Sequence, residues 1–121
     1  MSFRIVAKDA ETRARAGILE TRHGSVETPS YVVVGTYAKV RTLDSADLLG
    51  AKTQLIIANT DHLWQALGEG GLKKFPGLHA VMDWHKPLMT VSGGFQVFSL
   101  GIAREQGVGK VLDAGSEYAF K

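Results

Sequence analysis

Apolar and polar residues alternate from Phe3 to Lys8, the period of a strand with one face buried. Ala16 to Glu20 and Ser25 to Thr28 flank His23-Gly24, and turn residues between two such runs predict a hairpin. These pieces predict a small antiparallel sheet over residues 1–30. At Tyr31 the texture changes. Tyr31 to Val34 is a continuous apolar, β-branched run that stops at Gly35, as in a strand covered on both faces of a parallel sheet. Thr42-Leu-Asp-Ser-Ala-Asp47 then offers a capping hydroxyl and early acids, which predicts a helix ending at Gly50.

The pattern repeats. Leu55 to Ala58 reads as a second buried strand, and Leu63 to Leu67 as a helix closed by Gly68. Helical stretches at Leu72 to Phe75 and Leu78 to Met82 are separated by Pro76-Gly77. Leu88 to Val91 is a third strand that runs into Ser92-Gly93-Gly94. Asp113-Ala-Gly-Ser116 is a turn signal between two strand-like pieces. Buried strands alternating with helices predict an α/β fold of right-handed βαβ units on a parallel sheet. A complete (β/α)₈ barrel needs about 250 residues. With three such strands in 121 residues, the expectation is the opening portion of that fold: an antiparallel sheet over 1–30 and the first barrel units over 31–121.

Composition narrows the class. Hydrophobic residues at 45% and charged residues at 21% are enough to bury a core, which excludes a disordered segment. No apolar run has the length of a membrane span, and no apolar stretch follows the first charge at the N-terminus. A soluble cytoplasmic protein with no membrane partner is the expectation. The absence of cysteine excludes disulfides and thiolate metal sites in these residues. A net charge of +2 is compatible with a nucleic-acid partner without requiring one. Arg13, Arg15 and Arg22, Lys39 and Arg41, and Lys73 and Lys74 form small basic clusters that read as solvated surface on composition alone.

Parallel α/β sheets place their sites at the C-terminal strand ends. Here those ends carry Gly35-Thr36, Asn59-Thr-Asp-His62 and Ser92-Gly-Gly-Phe-Gln96. Small and amide-bearing residues allow close approach of a planar polar ligand, and Phe95 offers a ring for stacking. Each also has a plain structural reading. Gly93-Gly94 serves a tight strand-to-helix turn, Asn59 and Thr60 cap the following helix, and His62 is a packed, hydrogen-bonded histidine. Trp64 and Trp84 read as core or interface anchors. His79, Asp83 and His85 lie close in sequence, but a metal needs convergent geometry that this loop-rich segment does not supply.

The ordered set of motifs is far more specific than any one of them. Arg15-Ala-Gly-Ile-Leu19, Thr21-Arg-His-Gly24, Glu27-Thr-Pro-Ser-Tyr31 and Val34-Gly-Thr36 resemble the opening of the tRNA-guanine transglycosylases. The resemblance continues through Gly50-Ala-Lys-Thr-Gln-Leu-Ile-Ile-Ala-Asn-Thr-Asp-His-Leu63, Gly77-Leu-His-Ala-Val-Met-Asp-Trp84 and Ser92-Gly-Gly-Phe-Gln-Val-Phe-Ser-Leu100. It covers the chain from about Arg13 to Leu100, and Tyr118-Ala-Phe-Lys121 looks like the family's next strand.

The resemblance implies a (β/α)₈ barrel with an N-terminal antiparallel sheet and a zinc-binding insertion near the C-terminus of the full-length protein. It implies exchange of guanine for a queuine-type base in a tRNA anticodon loop, through a covalent enzyme–RNA intermediate, by a homo- or hetero-oligomer. Phe95 would stack on the purine, with Ser92, Gly93, Gly94 and Gln96 around its polar edge. Asn59 would orient a nucleophilic carboxylate that lies, like the zinc ligands, in later parts of the barrel.

Two positions depart from the family pattern. Val91 stands where the family has the acid/base Asp, and an alkyl group can neither donate nor take up a proton beside the purine. The expectation is therefore no exchange by these residues alone and impaired exchange by a full-length protein bearing Val91. Asp61 stands where the family usually has Tyr, on what reads as the loop after the second strand, so it is not expected to replace the lost acid. A second class of function stays open at this point: a non-catalytic subunit that binds tRNA or supports an active partner.

Overall fold

The computed structural model describes residues 1–94. Phe95, Gln96 and the turn expected at Asp113–Ser116 lie outside the described residues.

Three antiparallel strands come first: β1 (Ser2–Lys8), β2 (Arg15–Thr21) and β3 (Gly24–Thr28), in that spatial order. The hairpin between β2 and β3 closes on Thr21. Its hydroxyl donates to the Gly24 carbonyl at 2.7 Å and accepts from the His23 N–H at 3.1 Å, while Gly24 takes the positive φ of 117° that the turn needs. Gly17 lets the Phe3 ring lie across β2, since a methyl group there would sit 2.4 Å from the ring. The peptide bond before Pro29 is cis, and the chain then enters a second sheet.

That sheet is parallel, in the order β4 (Val32–Val34), β5 (Leu55–Asn59), β6 (Leu88–Val91). The register pairs Val33 with Ile56 and Ile57 with Met89. α1 (Ser45–Gly50) links β4 to β5, and α2 (Thr60–Lys73) with α3 (Leu78–Val81) links β5 to β6. The α/β class and the three parallel strands are as the sequence pattern indicates, except that Tyr31 stays outside β4 and is largely exposed.

The core lies between sheet and helices. Val40, Leu48, Ile56 and Trp84 form one cluster, and Ala38, Ala58 and Leu63 a second, with Met82 packed against both. Trp84 is a core anchor: it is buried and its indole N–H donates to the Pro87 carbonyl at 3.2 Å. Trp64 is not, being half exposed on α2. The antiparallel sheet is tied to the parallel one by the Glu27 N–H, which donates to Gln54 Oε1 at 2.8 Å, and by the His23 ring stacked on His79 at 3.9 Å.

Three boundaries differ from the sequence reading. Asp44, not Thr42, caps α1: its carboxylate accepts from the Asp47 N–H at 2.9 Å and Asp47 returns the bond to the Asp44 N–H at 3.1 Å. Each of the two carboxylates takes one backbone donor, and Thr42 instead bends the chain at a positive φ of 64°. Gly68 does not end α2 but kinks it at φ 62°, and the helix resumes to Lys73, so Leu72 belongs to α2 rather than to a separate helix. Asp61 is not on a loop. It lies in the first turn of α2 and is buried, because Asn59 takes the cap and starts the helix at Thr60.

Candidate functional site

Parallel pairing brings the C-terminal ends of β4, β5 and β6 to one rim, and the register sets Asn59 directly beside Val91. The two loops that the sequence marks as chemical, after β5 and after β6, are thus neighbours in space. Each feature of the rim follows from local physics.

Asn59 is the last residue of β5 and the N-cap of α2. Its Oδ1 accepts from the Asp61 N–H at 3.0 Å and the His62 N–H at 3.4 Å, satisfying two of the donors that a helix start leaves open. The capping reading of Asn59 is therefore the observed one. With Oδ1 engaged and the residue buried, only its amide N–H groups are available to orient a second carboxylate.

Asp61 follows two residues on. Its carboxylate accepts from Gln65 Nε2 at 2.9 Å, one helical turn away. Among the described residues it is the one charged side chain in the buried set, and no cation pairs with it. His62 is half-buried, its ring tilted against Tyr37 with centroids 5.3 Å apart. It is packed as the sequence indicates, but not fully hydrogen-bonded: its Nδ1 is buried without a partner among the described residues.

Val91 ends β6 and is 38% exposed. Ser92 follows, and its Oγ accepts from the Gly94 N–H at 3.3 Å, which ties the start of the loop into a tight turn. Gly93 is buried at φ 79°, and a methyl group on it would lie 2.3 Å from Asp61 Cβ and 2.8 Å from Asn59 Oδ1. Here glycine serves both conformation and proximity: the β6 loop lies directly on the start of α2. Phe95 and Gln96, next in the sequence, lie outside the described residues.

Beyond β4 the rim continues into a crevice of about 1020 Å³ lined by Thr36, Tyr37, Lys39, Arg41 and Asp44 among others. One of the basic clusters read as solvated surface thus borders a concavity next to the strand ends. Composition gives no signal for that, because the backbone turn at Ala38, with φ 54°, brings these residues around. His79, Asp83 and His85 do not converge. His79 stacks on His23, while His85 and Asp83 face each other at 3.6 Å in solvent. Among the described residues no group of three or more His, Cys, Asp or Glu is gathered as a metal would require.

Comparison with known proteins accounts for this arrangement of motifs. The family model described as queuine tRNA-ribosyltransferase matches residues 9–119. The chain is 44% identical over 105 residues to the queuine tRNA-ribosyltransferase of Halothermothrix orenii, covering 87% of this chain and 28% of that protein. It is 48% identical over 101 residues to that of Shouchella clausii, covering 81% and 26%. It is 41% identical over 118 residues to that of Thermoanaerobacter pseudethanolicus, covering 98% and 30%. The chain spans less than a third of the length of these relatives. With the family match running along most of its length, the chain belongs to the queuine tRNA-ribosyltransferase family.

Proposed function

We propose that these residues form the first part of a tRNA-guanine transglycosylase barrel, and that their share of the work is to hold the purine being exchanged. The observation that carries this reading is the register of β5 and β6. It sets Asn59 beside Val91 and lays Gly93 on Asp61, so the loop that leads into Phe95 forms one wall with the start of α2. A flat base can enter against the small residues Ser92, Gly93 and Gly94, with Phe95 and Gln96 next in the sequence. Lys39 and Arg41, at the neighbouring crevice, are placed to meet phosphates of an anticodon loop.

The substrates in this reading are a tRNA and guanine or a queuine-type base, and the product is the base-exchanged tRNA. The nucleophile that attacks the ribose belongs to another part of the barrel, so residues 1–121 alone exchange no base. Zinc is implied by the family, yet this chain has no cysteine and its described residues gather no ligand cluster. The described residues offer no site for the metal, and no step here passes through one. Among the described residues no helix is long and apolar enough to cross a membrane. A cytoplasmic homo- or hetero-oligomer is the setting proposed.

The second reading, a non-catalytic subunit, is favoured by one observation, the valine at position 91. Radiolabelled guanine exchange into a cognate tRNA separates the two, using the complete protein that carries these residues. Exchange supports the enzyme; tRNA binding without exchange, with or without Val91→Asp, supports the subunit.

A further inference from the structure

We infer that Tyr37 is the platform on which an unpaired nucleotide beside the exchanged one stacks, a contact that sets which position of the anticodon loop enters the site. The inference rests on the transglycosylase reading above and adds to its phosphate contacts an aromatic side chain that no motif marks.

Three observations converge on it. First, the segment after β4 is anchored on alternate residues. Ala38 and Val40 are buried in the two core clusters, so Tyr37, Lys39 and Arg41 turn outward. All three border the crevice of about 1020 Å³ at the end of β4, and Tyr37 also borders an adjoining concavity of about 420 Å³ toward α1 and α3. Second, the Tyr37 ring is exposed yet supported. The residue keeps 57% of its surface, and its ring leans on His62 with centroids 5.3 Å apart and planes inclined by 52°. His62 stands in the first turn of α2, where its N–H donates to Asn59 Oδ1 at 3.4 Å. The platform is thus braced by the same cap that closes the end of β5. Third, the segment is held in an unfavourable shape. Ala38 and Thr42 take positive φ values of 54° and 64°, a region that side chains enter only at a cost and that clusters at binding sites.

Charge fits the same occupant. Asp44 and Asp47 also border the crevice, but each carboxylate accepts from the other's backbone N–H at the start of α1. Among the described residues neither forms an ion pair with Lys39 or Arg41, so the two cations are not taken up by these acids. An exposed ring beside two cations is how proteins hold single-stranded nucleic acid: the cations follow the phosphates and a base stacks on the ring. A paired stem hides the faces of its bases, so the ring takes an unpaired nucleotide. Position names which one. β4 lies next to β5, whose end carries Asn59 beside Val91, so the crevice adjoins the purine site one strand away. The nucleotide that reaches Tyr37 is therefore a neighbour of the exchanged guanosine. His62 is a positioning residue, acting only through the Tyr37 ring.

The experiment measures binding of a cognate anticodon stem-loop RNA to the complete protein carrying these residues, by fluorescence anisotropy. Two further copies of the RNA lack the base 5′ or 3′ of the exchanged guanosine. One abasic copy is expected to bind the unsubstituted protein about 5- to 150-fold more weakly, the range for one base–aromatic stack. Tyr37→Ala is expected to bind intact RNA as weakly and to lose the difference between intact and abasic RNA, whereas Tyr37→Phe keeps it. Lys39→Ala is expected to weaken all three RNAs alike. Equal binding of the three RNAs by the unsubstituted protein overturns the inference, as does a Tyr37→Ala form that binds like the unsubstituted one. An abasic difference that persists in Tyr37→Ala also overturns it, since the base then stacks elsewhere. So does a change in self-association with RNA affinity intact, which makes the crevice a contact between two copies of the chain. No RNA binding by the unsubstituted protein overturns the functional reading itself. Because Tyr37→Ala also takes the ring away from His62, a second readout uses the unsubstituted protein: 2-aminopurine at the neighbouring position should lose fluorescence on binding. Fluorescence unchanged at saturation at both neighbouring positions refutes the stack.

Discussion

Gly93→Ala tests the wall between the β6 loop and α2, and its cost can be worked out in two parts. At φ 79° a side chain enters the left-handed region, which costs a non-glycine residue about 1–2 kcal/mol. The new methyl would also stand 2.3 Å from Asp61 Cβ and 2.8 Å from Asn59 Oδ1. The far end of neither side chain is free to swing away. Asp61 is anchored at its N–H and at its carboxylate, and Asn59 Oδ1 holds two helix donors. Forced overpacking of this kind costs about 1–3 kcal/mol. The expected loss is therefore about 2–5 kcal/mol, a large part of the ordinary stability of a domain. The assay is urea unfolding of the complete protein with Gly70→Ala as its partner. Gly70 lies within α2, has open space where its Cβ would go and lacks a positive φ, so alanine there should stabilise by about 0.4–1 kcal/mol. The same substitution then has opposite signs at two glycines. A Gly93→Ala loss below about 1 kcal/mol, within the spread of ordinary substitutions, would show that the loop does not rest on Asp61.

Asn59→Ala removes the acceptor for two helix N–H groups and should cost about 1–2 kcal/mol in the same urea assay; a loss of a few tenths would deny it the cap. Lys39→Ala and Arg41→Ala should each weaken tRNA binding for all sequences alike and flatten its salt dependence by about one phosphate contact, as read from binding at several salt concentrations. An unchanged slope would return the pair to solvated surface. The Asp9 carboxyl is held below its ordinary value by the backbone N–H of Glu11 first and then that of Thr12, at 2.8 Å each. Since the folded value is the lower one, this contact is complete above the ordinary value and is lost as pH falls through the lowered one. NMR amide shifts of Glu11 and Thr12 should move together below the ordinary aspartate range, and movement at or above it would contradict the bonds.

Elements with a strong period are legible in the sequence; the way they end is less so. The apolar runs at Val32–Val34, Leu55–Ala58 and Leu88–Val91 read as strands because a parallel strand needs no alternation, although only the central β5 is buried along most of its length and the flanking β4 and β6 are partly exposed. The ends of helices depend on which side chain reaches the free N–H groups, a contest between close neighbours. Thr42 and Asp44 are both credible caps on paper, and Asp44 wins because Asp47 lies three residues on and returns the bond. Gly68 is a breaker by propensity, yet an isolated kink is tolerated where the chain can resume its helix, as α2 does to Lys73.

The site shows a sharper division. The sequence names the loops of the rim, because small and amide residues after buried strands are visible in one dimension. It does not give distances between loops, and that is what decides Asp61. Read along the chain, Asp61 is two residues past a strand and thirty before Val91, with nothing to connect them. Two steps in space change that. The cap at Asn59 turns the chain into a helix at once, which draws Asp61 back over the end of β5 instead of letting it run out on a loop. The parallel register then brings β6 alongside, and a glycine at position 93 removes the one atom that would keep the two loops apart. The valine that ends β6 and the carboxylate in the first turn of α2 thus fall on the same wall, although nothing in the sequence joins them. The same Gly93 contact makes the arrangement a coupled one: a side chain at 93 should cost both stability and guanine preference, whereas Gly70→Ala should alter stability alone.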